Sequence, residues 1–276
     1  MFSINKALGI VPNASESGYS VDHLLEFCHW FMAALFVGWS IFFFYTLFRF
    51  HKSRNPKAIY HGVRSHASTH LEFSVILIEA ALLLGFALPL WGKRTNATGF
   101  LDNPNAIRVR AVAEQFAWNY HYPGPDGVFG SAKSSFVSAS NPLGLDPNDA
   151  AGKDDLVSKN DLYIVNHRPT VIEITSKDVI HNLAIKSMRV AQDAIPGSRV
   201  PIWFRPVKAG DYDIVCGQLC GGGHFGMRSI LHVVEQAAYD EWEKDMLKFQ
   251  HPELAAAAAA AAVAPAVAAP TVPAAQ

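Results

Sequence analysis

Two apolar runs constrain this chain more than any other feature. Phe27–Phe48 continues for about 22 residues without an Asp, Glu, Lys or Arg. A bilayer's hydrocarbon core of roughly 30 Å takes about 20 helical residues to cross. Leu71–Trp91 is a second run, interrupted only by Glu72 and Glu79, with Trp91 suited to an interface. In lipid, every backbone polar group must be satisfied within its own segment, and the helix does that. The chain is 50% hydrophobic and 17% charged, apolar for a soluble protein. Residues 1–94 are therefore read as an N-terminal segment and a transmembrane α hairpin, with spans at about 27–48 and 71–91.

Charge sets the orientation. Arg49, Lys52, Arg54, Lys57 and Arg64 lie between the spans, against Lys93 and Arg94 after the second. The positive-inside rule keeps that loop in the cytoplasm and sends everything after the second span outside. The expectation is a multi-pass protein of a cell inner membrane, with its later domain on the periplasmic side. Residues 1–22 carry no apolar core ahead of a small-residue cleavage site, so no cleavable signal is read there. Glu72 and Glu79, seven residues apart, share one helical face. A carboxylate in lipid is costly, so that face should meet protein or a water path.

The texture changes at about residue 95, where Asn, Gly, Pro and Asp cluster. Residues 95–253 read as a soluble domain. Ile107, Val109, Ala111 and Ala113 alternate with polar or outward residues, as in a half-buried strand. The apolar parity then flips to Phe116, Trp118, Tyr120 and Tyr122, which calls for a bulge or break near Glu114–Gln115. Residues 123–160 are rich in turn formers and read as a long surface excursion, partly mobile. Strand signals resume at 162–165, 170–175, 178–185, 200–205, 212–216 and 229–234, a pattern of a sandwich or barrel. Tyr239, Trp242, Met246 and Phe249 then mark a short amphipathic helix. Residues 254–276, nearly all Ala, Pro and Val, have little to bury and read as a disordered tail.

Chemistry concentrates in Cys216–Met227, CGQLCGGGHFGM. Its glycines argue against a helix. Two thiols, an imidazole and a thioether then share a tight loop. Soft sulfur and imidazole suit copper. A disulfide between Cys216 and Cys220, a zinc site completed by a distant His, and a single blue-copper ion remain open on the loop alone. Cys28 reads as a small buried apolar residue. No basic run supports nucleic-acid binding, and no C-x-x-C-H supports attached haem.

The loop resembles the dinuclear CuA loop of subunit II of the haem–copper cytochrome c oxidases, C-x-x-x-C-x-x-x-H-x-x-M. The family's upstream D-V-x-H is matched by Asp178-Val179-Ile180-His181, and its D-A-I-P-G by Asp193–Gly197. The resemblance implies an all-β, cupredoxin-like Greek-key sandwich after the two helices. It implies two coppers bridged by Cys216 and Cys220, with His181, His224, Met227 and the Gln218 carbonyl as further ligands. It also implies electron uptake from cytochrome c at Phe116 and Trp118, donor docking at Asp178 and proton uptake at Glu72. The family's usual Trp is Phe116 here, and its usual Glu is Gln218. That Glu reaches a magnesium ion at the interface with the partner subunit, and a neutral amide binds a hard cation less well. The partners implied are the haem-bearing subunit I, other oxidase subunits and cytochrome c or another donor. Oxygen reduction would occur in subunit I, with no catalytic residue in this chain. A CuA subunit of a nitric oxide reductase and a stand-alone membrane-anchored copper carrier are the alternatives.

Overall fold

The structure is a computed structural model that describes residues 3–57, 60–61, 65–96 and 100–256. Arg64 and the tail from residue 257 lie outside the described residues. The chain divides into two compact units: Met1–Pro104 with Lys186–Val190, and Asn105–Ile185 with Ala191–Gln276.

The first unit is built on helices α1 (Gly18–Arg49) and α2 (Ala67–Thr95), both long and apolar enough to cross a membrane. Helix α1 begins well before Phe27, because its polar lead is held outside the apolar run. Asn5 donates to the Asp22 carbonyl, and the Ile4 amide donates to Glu26. Helix α2 widens into a π turn over Leu83–Ala87, just ahead of Pro89. Proline lacks an N–H and its ring crowds the carbonyl four residues back; a widened turn accommodates both. Side chains such as Phe36, 74% exposed, point outward along both helices. In water these would make an apolar patch far beyond what a soluble surface carries. The chain is membrane-anchored. Arg189, from the short stretch grouped with this unit, grips both carboxylate oxygens of Asp22 at 2.6 and 3.0 Å.

The second unit is a sandwich of two five-stranded sheets, β3-β2-β1-β5-β8 and β4-β10-β9-β6-β7. The strands are β1 Ile107–Glu114, β2 Ala117–Tyr122, β3 Leu156–Lys159, β4 Asp161–Val165, β5 Thr170–Ser176, β6 His181–Ile185, β7 Val190–Ala194, β8 Val200–Phe204, β9 Gly210–Cys216 and β10 Arg228–Val234. β1 pairs in parallel with β5, and β4 in parallel with β10. Such crossovers between non-consecutive strands make this the Greek-key, cupredoxin-like sandwich rather than a meander. Trp118, Tyr120, Phe204, Ile172, Leu183 and Ile214 fill the core between the sheets.

The parity switch is a full reversal. Glu114 pairs with Ala117, so Gln115 and Phe116 form the turn of a two-stranded hairpin. β2 is buried at all six positions. One face meets the core, and the excursion covers the other. That excursion is tied down rather than loose. Asp155 accepts from His121 at 2.6 Å and from the Gly130 amide at 2.8 Å, and Lys133 pairs with Gly144. Two short strands, β3 and β7, escaped the sequence reading. β6 starts at His181 rather than Asp178, because the Asp178 carboxylate binds the Val179 amide and holds a turn there.

Helix α3 (Gln236–Gln250) packs by its first turns. Trp242 stacks on Tyr163 at 4.7 Å and meets Tyr122 edge-on at 4.9 Å. Phe249 does not join that stripe: it is 83% exposed. Its neighbour Gln250 instead brackets the edge strand, accepting from the Val157 amide and donating to its carbonyl.

Candidate metal centre

Strand β9 ends at Cys216 and β10 starts at Arg228, so the loop between them projects from one end of the second sheet. His181 opens the neighbouring β6, whose Leu183 pairs with Cys216. The pairing brings an imidazole from a remote stretch against the loop. Cys216 and Cys220 are free thiols with sulfurs 3.8 Å apart. A disulfide needs about 2.05 Å. Two metal–sulfur bonds of about 2.3 Å at a tetrahedral angle span about 3.8 Å. The sulfurs are too far apart for a crosslink, and their spacing is one that two thiolates on one metal would have.

The other donors converge on the sulfurs. His181 Nδ1 lies 4.0 Å from Cys216 Sγ and 3.2 Å from Met227 Sδ. His224 Nδ1 lies 3.6 Å from Cys220 Sγ, and Met227 Sδ is 3.8 Å from the same sulfur. The Gln218 carbonyl is 3.1 Å from Cys216 Sγ, while its side chain is exposed. His181, Cys216, Cys220 and Met227 are buried, and His224 is half-buried. Burial, and then the neighbouring Cys216, push the Cys220 thiol up to about 11. A bound cation must offset that cost for both sulfurs to serve as thiolates at neutral pH. Soft thiolate, thioether and imidazole together form a donor set that suits copper.

A second layer fixes these donors. Asp178 Oδ1 accepts from His181 Nε2 at 2.9 Å, leaving Nδ1 to face the cluster. Burial alone would raise the Asp178 carboxyl, but hydrogen bonds from His181, Gln115 and Val179 hold it below the usual carboxylate range. Gln115 donates its side-chain amide to the Cys220 carbonyl at 2.6 Å, and its backbone amide to Asp178 at 2.7 Å. Asn182 accepts from the Gly217 amide and donates to Asp193. Sequence reasoning did not find Gln115 or Asn182. Both act through backbone groups of distant residues, which leaves no pattern to read.

Phe116 lies flat on the loop. A Cβ at Gly223 would sit 2.5 Å from its ring, and one at Gly221 would sit 3.1 Å from it. These glycines let an aromatic ring approach the backbone beside the donors. Phe116 is 40% exposed, whereas Trp118 is fully buried and meets His181 edge-on at 6.2 Å. Leu219 and Phe225 of the loop are 81% and 89% exposed. His121 is buried against Asp155. Glu72 and Glu79 both lie on the exposed surface of α2.

The arrangement defines a class: a membrane-anchored cupredoxin-like domain with a sulfur-rich donor cluster. The profile of the periplasmic domain of cytochrome c oxidase subunit II matches residues 107–234 of this chain. The chain is 29% identical over 240 residues to the alternative cytochrome c oxidase subunit 2 of Bradyrhizobium diazoefficiens, covering 86% of this chain and 84% of that one. It is 25% identical over 247 residues to cytochrome c oxidase subunit 2 of Cereibacter sphaeroides, covering 85% and 78%. Among solved structures, the periplasmic domain of subunit II of cytochrome oxidase (CoxB) of Bradyrhizobium japonicum aligns with a TM-score of 0.40 and 27% identity, over 53% of this chain and 98% of that one.

Proposed function

We propose that this chain is the electron-accepting subunit of a respiratory cytochrome c oxidase. It would hold a dinuclear copper centre, take electrons from cytochrome c and pass them to a haem-bearing subunit I. The observation that carries the reading is the convergence of six donors from two remote stretches, with the sulfurs of Cys216 and Cys220 3.8 Å apart. When bound, the copper pair supplies a one-electron redox couple.

The chain's residues keep that couple in a fixed frame. Cys216, Cys220, His181, His224, Met227 and the Gln218 carbonyl would hold the metals. Asp178 orients His181, and Gln115 holds the Cys220 backbone. Donors set at strand ends and in a loop pinned by such bonds move little when charge changes, which favours rapid transfer.

Phe116, with Leu219 and Phe225 beside it in the exposed loop, offers an apolar surface for a docking donor. Trp118 lies behind it against His181 and would act as an inner contact rather than a landing point. Asp178 contributes to docking only with the part of its charge not engaged by His181. Asp211 and Asp213 are bonded to His232 and Arg228, so long-range steering is weak. Glu72, on the exposed face of α2, would admit protons at the face shared with subunit I. On the copper-domain side, the neutral Gln218 favours no magnesium at the interface with subunit I. In this reading the copper domain stands on the periplasmic side of the inner membrane.

The test is purification from membranes, metal counting and electron paramagnetic resonance. Two coppers sharing one unpaired electron, with a haem-bearing partner that consumes oxygen, is the expected result. Cys216→Ser should remove that signal and cytochrome c oxidation together. Zinc alone, nitric oxide as the partner's substrate, or a chain that purifies without haem would each overturn the proposal.

A further inference from the structure

The excursion does more than cover β2. Between it and the outer face of the first sheet lies a cavity of about 450 Å³, within the range of roughly 300–1,000 Å³ that small-molecule sites occupy. None of the metal-cluster donors lines it.

We infer that this cavity binds a small organic anion: an apolar body carrying a carboxylate or phosphate head. The signs of its lining charges point that way. Arg110, Lys133, Lys177 and Arg199 line it, against a single acid, Glu173. Glu173 is already bound to Arg110 at 2.9 Å. Lys133 pairs with Asp146, and Lys177 with Glu114. Arg199 is exposed and has no carboxylate partner among the described residues. A guanidinium is weakly hydrated and its fork matches carboxylate and phosphate oxygens in pairs. It is the natural anchor for a head group, with the two lysines as adjustable neighbours. A cation would meet the wrong sign here.

The remaining walls decide the body. Val112 from the sheet, and Val137 and Leu143 from the excursion, present apolar surface. A bare inorganic anion would leave that surface wet, whereas a ring or short hydrocarbon covers it. The cavity is also preformed. Asp155 ties the roof to His121 and to the Gly130 amide. Asn141 closes the roof's turn with two bonds to Leu145. Gly144 is at φ +65, where a Cβ would lie 2.3 Å from the Lys133 carbonyl. A roof held in this way has little ordering cost left when a ligand enters.

The experiment uses the full chain in detergent and three probes of similar shape: benzoate, phenyl phosphate and benzyl alcohol. Binding is followed by calorimetry and by saturation-transfer NMR. At least one anion should bind about tenfold or more tightly than benzyl alcohol, and the tighter of the two identifies the head group. Arg199→Gln should weaken that anion about tenfold. Leu143→Trp should abolish binding by filling the space, and Lys208→Gln, outside the cavity, should change nothing. Because Arg199 is exposed, its substitution keeps the test valid should Leu143→Trp fail to fold. Equal binding of benzyl alcohol, an unchanged affinity in Arg199→Gln, or no saturable binding at about 10 mM anion would each overturn the inference.

Discussion

Asp178 touches His181 and the Gln115 amide at once, so one carboxylate sets both an imidazole and the turn beside the metal loop. Carboxylate partners of metal-binding imidazoles typically contribute roughly 10–100-fold in affinity. Asp178→Ala should lose copper affinity in that range, measured by competition with a chelator. Asp178→Asn, which keeps an acceptor oxygen, should lose less; equal losses would mean that charge rather than orientation is at stake. Gly223 makes a second residue-scale case. Its missing Cβ is the space the Phe116 ring fills. Gly223→Ala forces one of them to move, at a cost of about 1–3 kcal/mol. Phe116→Ala removes the obstacle, so the double variant should lose less than the sum of the singles. Strict additivity in urea titrations would refute the contact.

Helix α3 divides its aromatic residues unevenly, and the division is measurable. Trp242 is packed against two tyrosines, and Phe249 hangs in solvent. Truncating a buried Trp costs about 3–5 kcal/mol; for the half-buried Trp242, about 3 kcal/mol is expected in the Ala variant. Phe249→Ser should stay within about 0.5 kcal/mol. A larger loss at Phe249 would mean the helix turns another face to the sandwich. Periodicity placed both on one stripe, because three- and four-residue spacing cannot tell where the supporting sheet ends. The same limit hid β3 and β7: each is only four or five residues long, and β7 is half-polar. β1 was legible because its alternation matches its burial residue by residue. The sulfur-rich loop was legible because five of the six candidate donors fall within the twelve residues Cys216–Met227. Its supporting bonds from Gln115 and Asn182 were not, since they form between segments far apart in the chain.

At the scale of the whole molecule, orientation rests on a small charge difference. Five basic residues lie between the spans and two follow the second. Cytoplasmic retention of a short loop scales with its Lys and Arg count, and acidic residues contribute little. Alkaline phosphatase needs disulfides that form only outside the cytoplasm. Inserted in frame after Lys57, with the rest of the chain retained, it should be inactive, and inserted after Asp126 it should be active. Replacing Arg49, Lys52, Arg54 and Lys57 by Gln leaves Arg64 alone against Lys93 and Arg94. That balance, one against two, should produce a mixed population with measurable activity at both insertion points. Replacing Lys93 and Arg94 by Gln in the same background leaves one against none and should restore the original orientation. If the four-residue variant keeps a uniform orientation, loop charge does not decide how this chain inserts, and the α1 lead that carries Asp22 and Glu26 becomes the element to alter next.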